Sequence, residues 1–274
     1  MSGGIEGDHL NIAWSTDIDT KGEGTLKRSN SNSSSKIKAY KMSWIDYKSK
    51  IPESEGCVFR GQDVITKLST SFHRNNRFDL YRYDSEDINE AHKILSNQTR
   101  HFFQLDQGNQ RGAFLNLLQH HGYPTPLLDW TNSPYVAAFF AFHNLTKEAI
   151  KTKIKEGQDH VRIFVLDNNH WSSRINQFSD MATHINHVSI IDCLALENPR
   201  AGPQQAVTML TNMVDIEEHI LNLAPESLTA FDIPITEAEK VMSDLGLMGI
   251  TSSSLFPGID GACNWLKLKN FGFT

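Results

Sequence analysis

The sequence predicts an α+β fold, because predicted strands and helices are mixed without strict alternation, no segment repeats, and no regular βαβ rhythm runs along the chain. Its 274 residues are 39% hydrophobic, which is enough for a substantial core. The N-terminal stretch is the exception. Residues 1–36 are rich in Ser, Gly and Asn and end in the Ser/Asn run at 29–36. Such a composition buries too little apolar area to offset the entropy of ordering. The expected organisation is a flexible leader over 1–36 and a single domain over 37–274.

Taken in order, Trp44, Ile45 and Tyr47 suggest an amphipathic segment, and Cys57-Val58-Phe59-Arg60-Gly61 a short strand. Asp84-Ser85-Glu86 is helix-start chemistry. Ile88, Ala91, His92, Leu95, Thr99 and Phe102 then recur at three- and four-residue spacings, predicting a helix over 84–104. A second helix over 112–121 places Phe114, Leu117, Leu118 and His121 on one buried stripe and breaks at Gly122-Tyr123-Pro124. Leu127-Leu128 next delivers Asp129, Trp130 and Thr131 to Ser133, an N-cap followed by Pro134 at the first helical position. The apolar run Tyr135–Phe142 predicts a central helix.

A polar helix over 147–156 precedes an interior strand at 161–166. Further strands are expected over 188–196, 204–210 and 231–235. Thr236–Glu239 carries a capping-box pattern that opens a helix.

The charge balance, 26 basic against 32 acidic side chains for a net of −6, argues against a broad nucleic-acid surface. No run is long and apolar enough to span a membrane, and the polar start lacks the regions of a signal peptide. Three widely spaced cysteines make a disulfide framework unexpected. A cytoplasmic protein is the expectation. Gly-x-Ser-x-Gly, Walker, His-Glu-x-x-His and Cys-x-x-Cys patterns are missing, which lowers the serine hydrolase, NTPase, zinc protease and thiol-redox readings.

Chemistry concentrates in two places. Arg60 has a planar fork of donors suited to phosphate or carboxylate, and Gly61 beside it lets a ligand approach the backbone. Equally, Arg60 reads as a buried partner of Asp129. The helix start at Ser133 offers unpaired N–H groups and a positive dipole end, with Trp130 or Tyr123 to present an aromatic face to a ring. The Ser133 hydroxyl also reads as an ordinary N-cap. His120 and His121 point about 100° apart on a helix and have no ligand-spaced partner, so no metal site is expected. His121 reads as a core histidine, with acid–base work beside Asp129 as the alternative.

Phe59-Arg60-Gly61-Gln62 and Gln119-His120-His121-Gly122-Tyr123-Pro124-Thr125-Pro126-Leu127-Leu128-Asp129-Trp130-Thr131-Asn132-Ser133-Pro134, with Ala137 and Phe140-Ala141, resemble the FRG domain family in order and spacing. Arg200 with Gln204-Gln205 resembles the family's later Arg and Gln-Gln-Gly segment, and residues 249–261 its closing Leu-Phe-Pro segment. Pro126 stands where the family usually has Arg, and Ala206 where it usually has Gly.

A weaker resemblance is to the ADP-ribosyltransferase layout, a mixed β-sheet core with surrounding helices whose strands converge on NAD. It implies NAD as substrate and a protein acceptor or partner. The implied site takes Arg60, Asp129 and Gln205 as catalytic residues and Arg60, Gly61, Tyr123, Trp130, Thr131 and Ser133 as ligand contacts. Gln205 lacks the charge to stabilise a ribosyl cation, and Glu197 is the nearest late carboxylate. The family's settings imply a toxin, phage-defence or counter-defence role. Two other readings stand beside it: a noncatalytic nucleotide- or protein-binding module, and a hydrolase or nuclease using His120, His121 and Asp129.

Overall fold

Where the composition predicts a flexible leader, the chain forms three antiparallel strands, β1 (Ser2–Glu6), β2 (His9–Ser15) and β3 (Lys21–Lys27), in the order β1-β2-β3. The computed structural model describes residues 2–7, 9–27, 35–51, 55–191 and 193–272. It divides the chain into two units, Met1–Ser34 and Ser35–Thr274. In the first unit most of β2 is exposed, so the in–out alternation by which a strand is read from sequence is missing. The Trp14 ring instead covers Gly22, where a Cβ would lie 2.1 Å from Cζ2.

The second unit is built on a seven-stranded mixed sheet. Its strands are β4 (Lys38–Lys41), β5 (Cys57–Gln62), β6 (Leu127–Thr131), β7 (His160–Asp167), β8 (Val188–Ile191), β9 (Ala206–Thr211) and β10 (Leu228–Pro234). They lie in the order β4-β10-β7-β5-β6-β9-β8, and only the β10–β4 pair is parallel. The helices are α1 (Trp44–Lys50), α2 (Ser71–Arg74), α3 (Leu80–Arg82), α4 (Ile88–Leu95), α5 (Gly108–His120) and α6 (Pro134–Phe142). After them come α7 (Lys147–Lys155), α8 (Asn168–Arg174), α9 (Ile216–Leu223), α10 (Ala238–Leu247), α11 (Ser252–Leu255) and α12 (Ile259–Phe271). The α+β class expected from the sequence is the class observed.

Strand alternation sorts the core into layers. Phe59, Val161, Ile163, Val165 and Ile233 pack with the all-apolar α6 and with α10. Val58, Leu128, Phe164, Leu166 and Met209 pack on the opposite face with Trp171 of α8 and Ile216 and Ile220 of α9. A third cluster joins Phe72, Tyr83, Phe103, Phe114 and Leu118 to Leu127 and Leu210. Helix α6 starts as predicted, with the Ser133 side chain accepting from the Val136 N–H and Pro134 next.

Four local expectations are corrected. The helix expected over 84–104 is a π-helical turn at Tyr83–Asp87 followed by α4, which ends at Leu95, and Phe102 is exposed. Helix α5 ends at His120, so His121 leaves the buried stripe and is exposed as the C-cap. The expected capping box of Thr236 and Glu239 does not form, because a 3-10 turn over Ile235–Glu237 leads into α10; the Glu237 carboxylate accepts from the Trp44 N–H. The strand expected from Gln204 begins at Ala206 because Gln205 adopts φ +46° in a turn.

Candidate functional site

Strands β5 and β6 pair at a single position, Phe59 with Thr131, and then separate. Separation leaves the Asp129 carbonyl without a strand partner on that side. The Arg60 guanidinium supplies the missing donor, with Nη1 donating to Asp129 O at 2.5 Å. The gap between the strands is the floor of a cleft of about 420 Å³, within the range of small-molecule sites.

Four further segments contribute to the lining. Helix α5 contributes Asn116, Gln119 and His120, α6 contributes Phe140, and the segment after β8 contributes Asn198, Arg200 and Gln204. Phe256, the residue after α11, carries Arg200 over its ring at 5.2 Å.

Asp129 is the one side chain of β6 that is not buried. Gln119 Nε2 donates to its Oδ1 at 2.5 Å, and Gln119 Oε1 accepts from the Thr125 hydroxyl, so a relay from a buried threonine fixes the carboxylate. Asp129 is open to the cleft yet surrounded by protein, and this desolvation raises its pKa, with Arg60 and the Gln119 bond opposing. Burial likewise lowers the pKa of Arg60; Asp129 opposes that shift and Arg74 adds to it. His120 is held below the usual histidine range by burial first, then by Arg200 and His121. Asp63, the other carboxylate of the cleft, is ion-paired with Lys153 at 3.5 Å.

Among the described residues, three buried polar atoms of the lining have no partner: Arg60 Nε, Gln62 Oε1 and Trp130 Nε1. Neither Arg60 nor Arg200 forms an ion pair among the described residues. The cleft therefore holds two guanidinium groups against one carboxylate that is not already paired, an arrangement suited to an anion. No group of three or more His, Cys, Asp or Glu side chains among the described residues is placed to hold a metal.

The residues singled out from the sequence separate in the structure. Arg60, Gly61, Asp129, Trp130 and Thr131 line the cleft. Tyr123 lines a neighbouring recess with Arg60 and Asp129. Gln205 and Ser133 do not line the cleft; the Gln205 carbonyl accepts from the Asn132 N–H, and the Ser133 hydroxyl caps α6.

Three expected roles change on physical grounds. Trp130 is 2% exposed and packed in the core, so its ring is not free to stack on a ligand. The Thr131 hydroxyl donates to the Gln204 carbonyl and accepts from the Ser133 N–H, which makes it a brace. At Gly61 a Cβ would lie 1.9 Å from the Ala137 carbonyl oxygen, so this glycine admits α6 against β5. Glu197, the alternative late carboxylate, accepts from the His101 N–H and lies outside the cleft.

Asn116, Gln119 and His120 were not singled out from the sequence as a polar face. Their signal was legible, since three polar residues at three- and four-residue spacing interrupt an otherwise buried helix.

The FRG domain family model matches residues 55–149, which contain Arg60, Gln119 and Asp129. That match supports the FRG family for this part of the chain. Arg200, Gln204 and Phe256 come from beyond it. No curated protein and no solved structure matches the chain. Among the described residues no helix is long and apolar enough to cross a membrane.

Proposed function

We propose that the cleft binds a nucleotide through its phosphates, and that the nucleotide is NAD, consumed as substrate in ADP-ribosyl transfer. The observation that carries this reading is the pair of guanidinium groups, Arg60 and Arg200, facing one recess without ion-pair partners. Phe140 and Phe256 add apolar lining for a ring. In the proposed reaction the bond between nicotinamide and ribose breaks and nicotinamide leaves with its electron pair. An acceptor side chain then bonds the ribose carbon and releases a proton. Asp129 suits both needs: its negative charge stabilises the ribosyl cation, and its raised pKa makes it a better proton acceptor.

A specific observation favours the second reading, a noncatalytic nucleotide-binding module. Gln205 is held in a turn outside the cleft, so the later catalytic position implied by the ADP-ribosyltransferase layout contributes no side chain. Titration calorimetry with NAD, paired with nicotinamide release in the presence of cell lysate, separates the readings. Binding with release that is lost in Asp129→Asn supports transfer. Binding without release supports the module, and no NAD binding overturns both.

A further inference from the structure

A second recess of about 290 Å³ adjoins the cleft and shares Arg60, Gln119 and Asp129 with it. Its other lining includes Arg74, Ser71 and Tyr123. Arg74 uses Nη1 on the Ser69 carbonyl, and no carboxylate among the described residues pairs with it. Arg60 and Arg74 therefore meet at the recess, close enough that the charge of Arg74 counts against that of Arg60. With Asp129 the one carboxylate of its lining, the recess carries two guanidinium groups against a single negative charge, which favours a further anion there.

Tyr123 supplies the other half of a site. It is 37% exposed, and behind it the buried Tyr83 ring is stacked at 6.3 Å and 24°. The Tyr83 hydroxyl donates to the Pro124 carbonyl at 2.8 Å, which fixes the backing ring. A braced aromatic ring with solvent access is a platform for a planar heterocycle.

Building on the nucleotide reading of the main cleft, we infer that the ligand is a dinucleotide whose bridging phosphates lie at Arg60, between Arg200 and Arg74, and whose second ring stacks on Tyr123. One nucleoside half lies against Phe140 and Phe256. The chain then turns at Arg60, the residue common to both recesses, and the other half enters the Tyr123 side. A mononucleotide satisfies only the first recess.

Calorimetry with NAD and with AMP tests this on the full chain. Wild type is expected to bind NAD at least about tenfold more tightly than AMP, the scale of one base stacked on an aromatic ring. Tyr123→Ala and Arg74→Gln should each remove most of that difference and leave AMP affinity unchanged, while Tyr123→Phe keeps it. Equal affinity of wild type for NAD and AMP overturns the second subsite and leaves the main cleft standing. A Tyr123→Ala variant that binds NAD as wild type does, or loses AMP in parallel, overturns it too. Failure of wild type to bind either nucleotide overturns the cleft reading together with the subsite.

Discussion

Replacing Gly61 by alanine probes the contact that shapes the cleft. The added Cβ would meet the Ala137 carbonyl oxygen at 1.9 Å and the Ala141 nitrogen at 2.7 Å. Both are helix backbone atoms, so no rotamer change relieves the clash. Ordinary van der Waals contact begins at 3.4 Å, so α6 and β5 must move apart by about 1.5 Å. Overpacking of a tight interior contact costs about 1–3 kcal/mol, and a rigid obstacle on both sides puts Gly61→Ala at the upper end, about 3 kcal/mol. For a unit of this size that is a fall in Tm of roughly 6–12 °C. Urea denaturation and thermal scans of Gly61→Ala would measure it. A variant whose midpoint stays within experimental error of wild type would refute the claim that this glycine is required for close helix–strand approach.

Ser133→Ala should lose about 1 kcal/mol of stability through the missing N-cap bond and leave nucleotide affinity unchanged; a selective loss of affinity would show that the hydroxyl also serves a ligand. Burial holds His73 and His187 to about 4 each, well below the ordinary value of 6.5. The native state thus favours their neutral forms and the unfolded chain binds more protons between those limits. Their contribution is fully present above pH 6.5 and lost as the pH falls toward 4, on the order of 2 kcal/mol per histidine at pH 5. Urea midpoints at pH 7 and pH 5 would reveal it, and a His187→Gln variant should show a shallower decline; identical slopes would count against the effect. Arg162 and Asp232 form a buried bidentate pair at 2.7 and 2.8 Å, so Asp232→Ala should cost about 3–5 kcal/mol by stranding the guanidinium. A loss below about 1 kcal/mol in urea denaturation would contradict that.

Local chemistry made the β6–α6 passage legible: Leu127-Leu128, the Ser133 cap, Pro134 and an apolar run each act within a few residues of themselves. Positions governed by distant partners were harder to read. Thr236 and Glu239 matched a capping pattern, but a 3-10 turn over Ile235–Glu237 stands there and the Glu237 carboxylate reaches Trp44, far away in sequence. His121 fits the helical period, but α5 stops one residue before it. Gln204 and Gln205 looked like a strand start, whereas the left-handed turn at Gln205 sends only Gln204 to the cleft.

In the candidate site, the residue types were visible and their directions were not. Arg60 and Asp129 do meet, but through the Asp129 carbonyl, because two strands separate there; a strand pattern carries no record of where its neighbour diverges. Arg200 and Phe256 reach the cleft from late in the chain, and only tertiary structure brings them beside Arg60. The N-terminal meander was hard to read for a different reason: its central strand β2 is mostly exposed on both faces, so hydrophobic alternation does not mark it.

The proposed phosphate site rests on paired guanidinium groups, and calorimetry of ADP against adenosine is its decisive measurement. Wild type should bind ADP at least about tenfold more tightly than adenosine, the scale of one charge-assisted hydrogen-bonded contact, and Arg200→Ala with unchanged Tm should erase most of that preference. Equal affinity of wild type for the two ligands, or a preference that survives both Arg200→Ala and Arg60→Gln, would contradict the account.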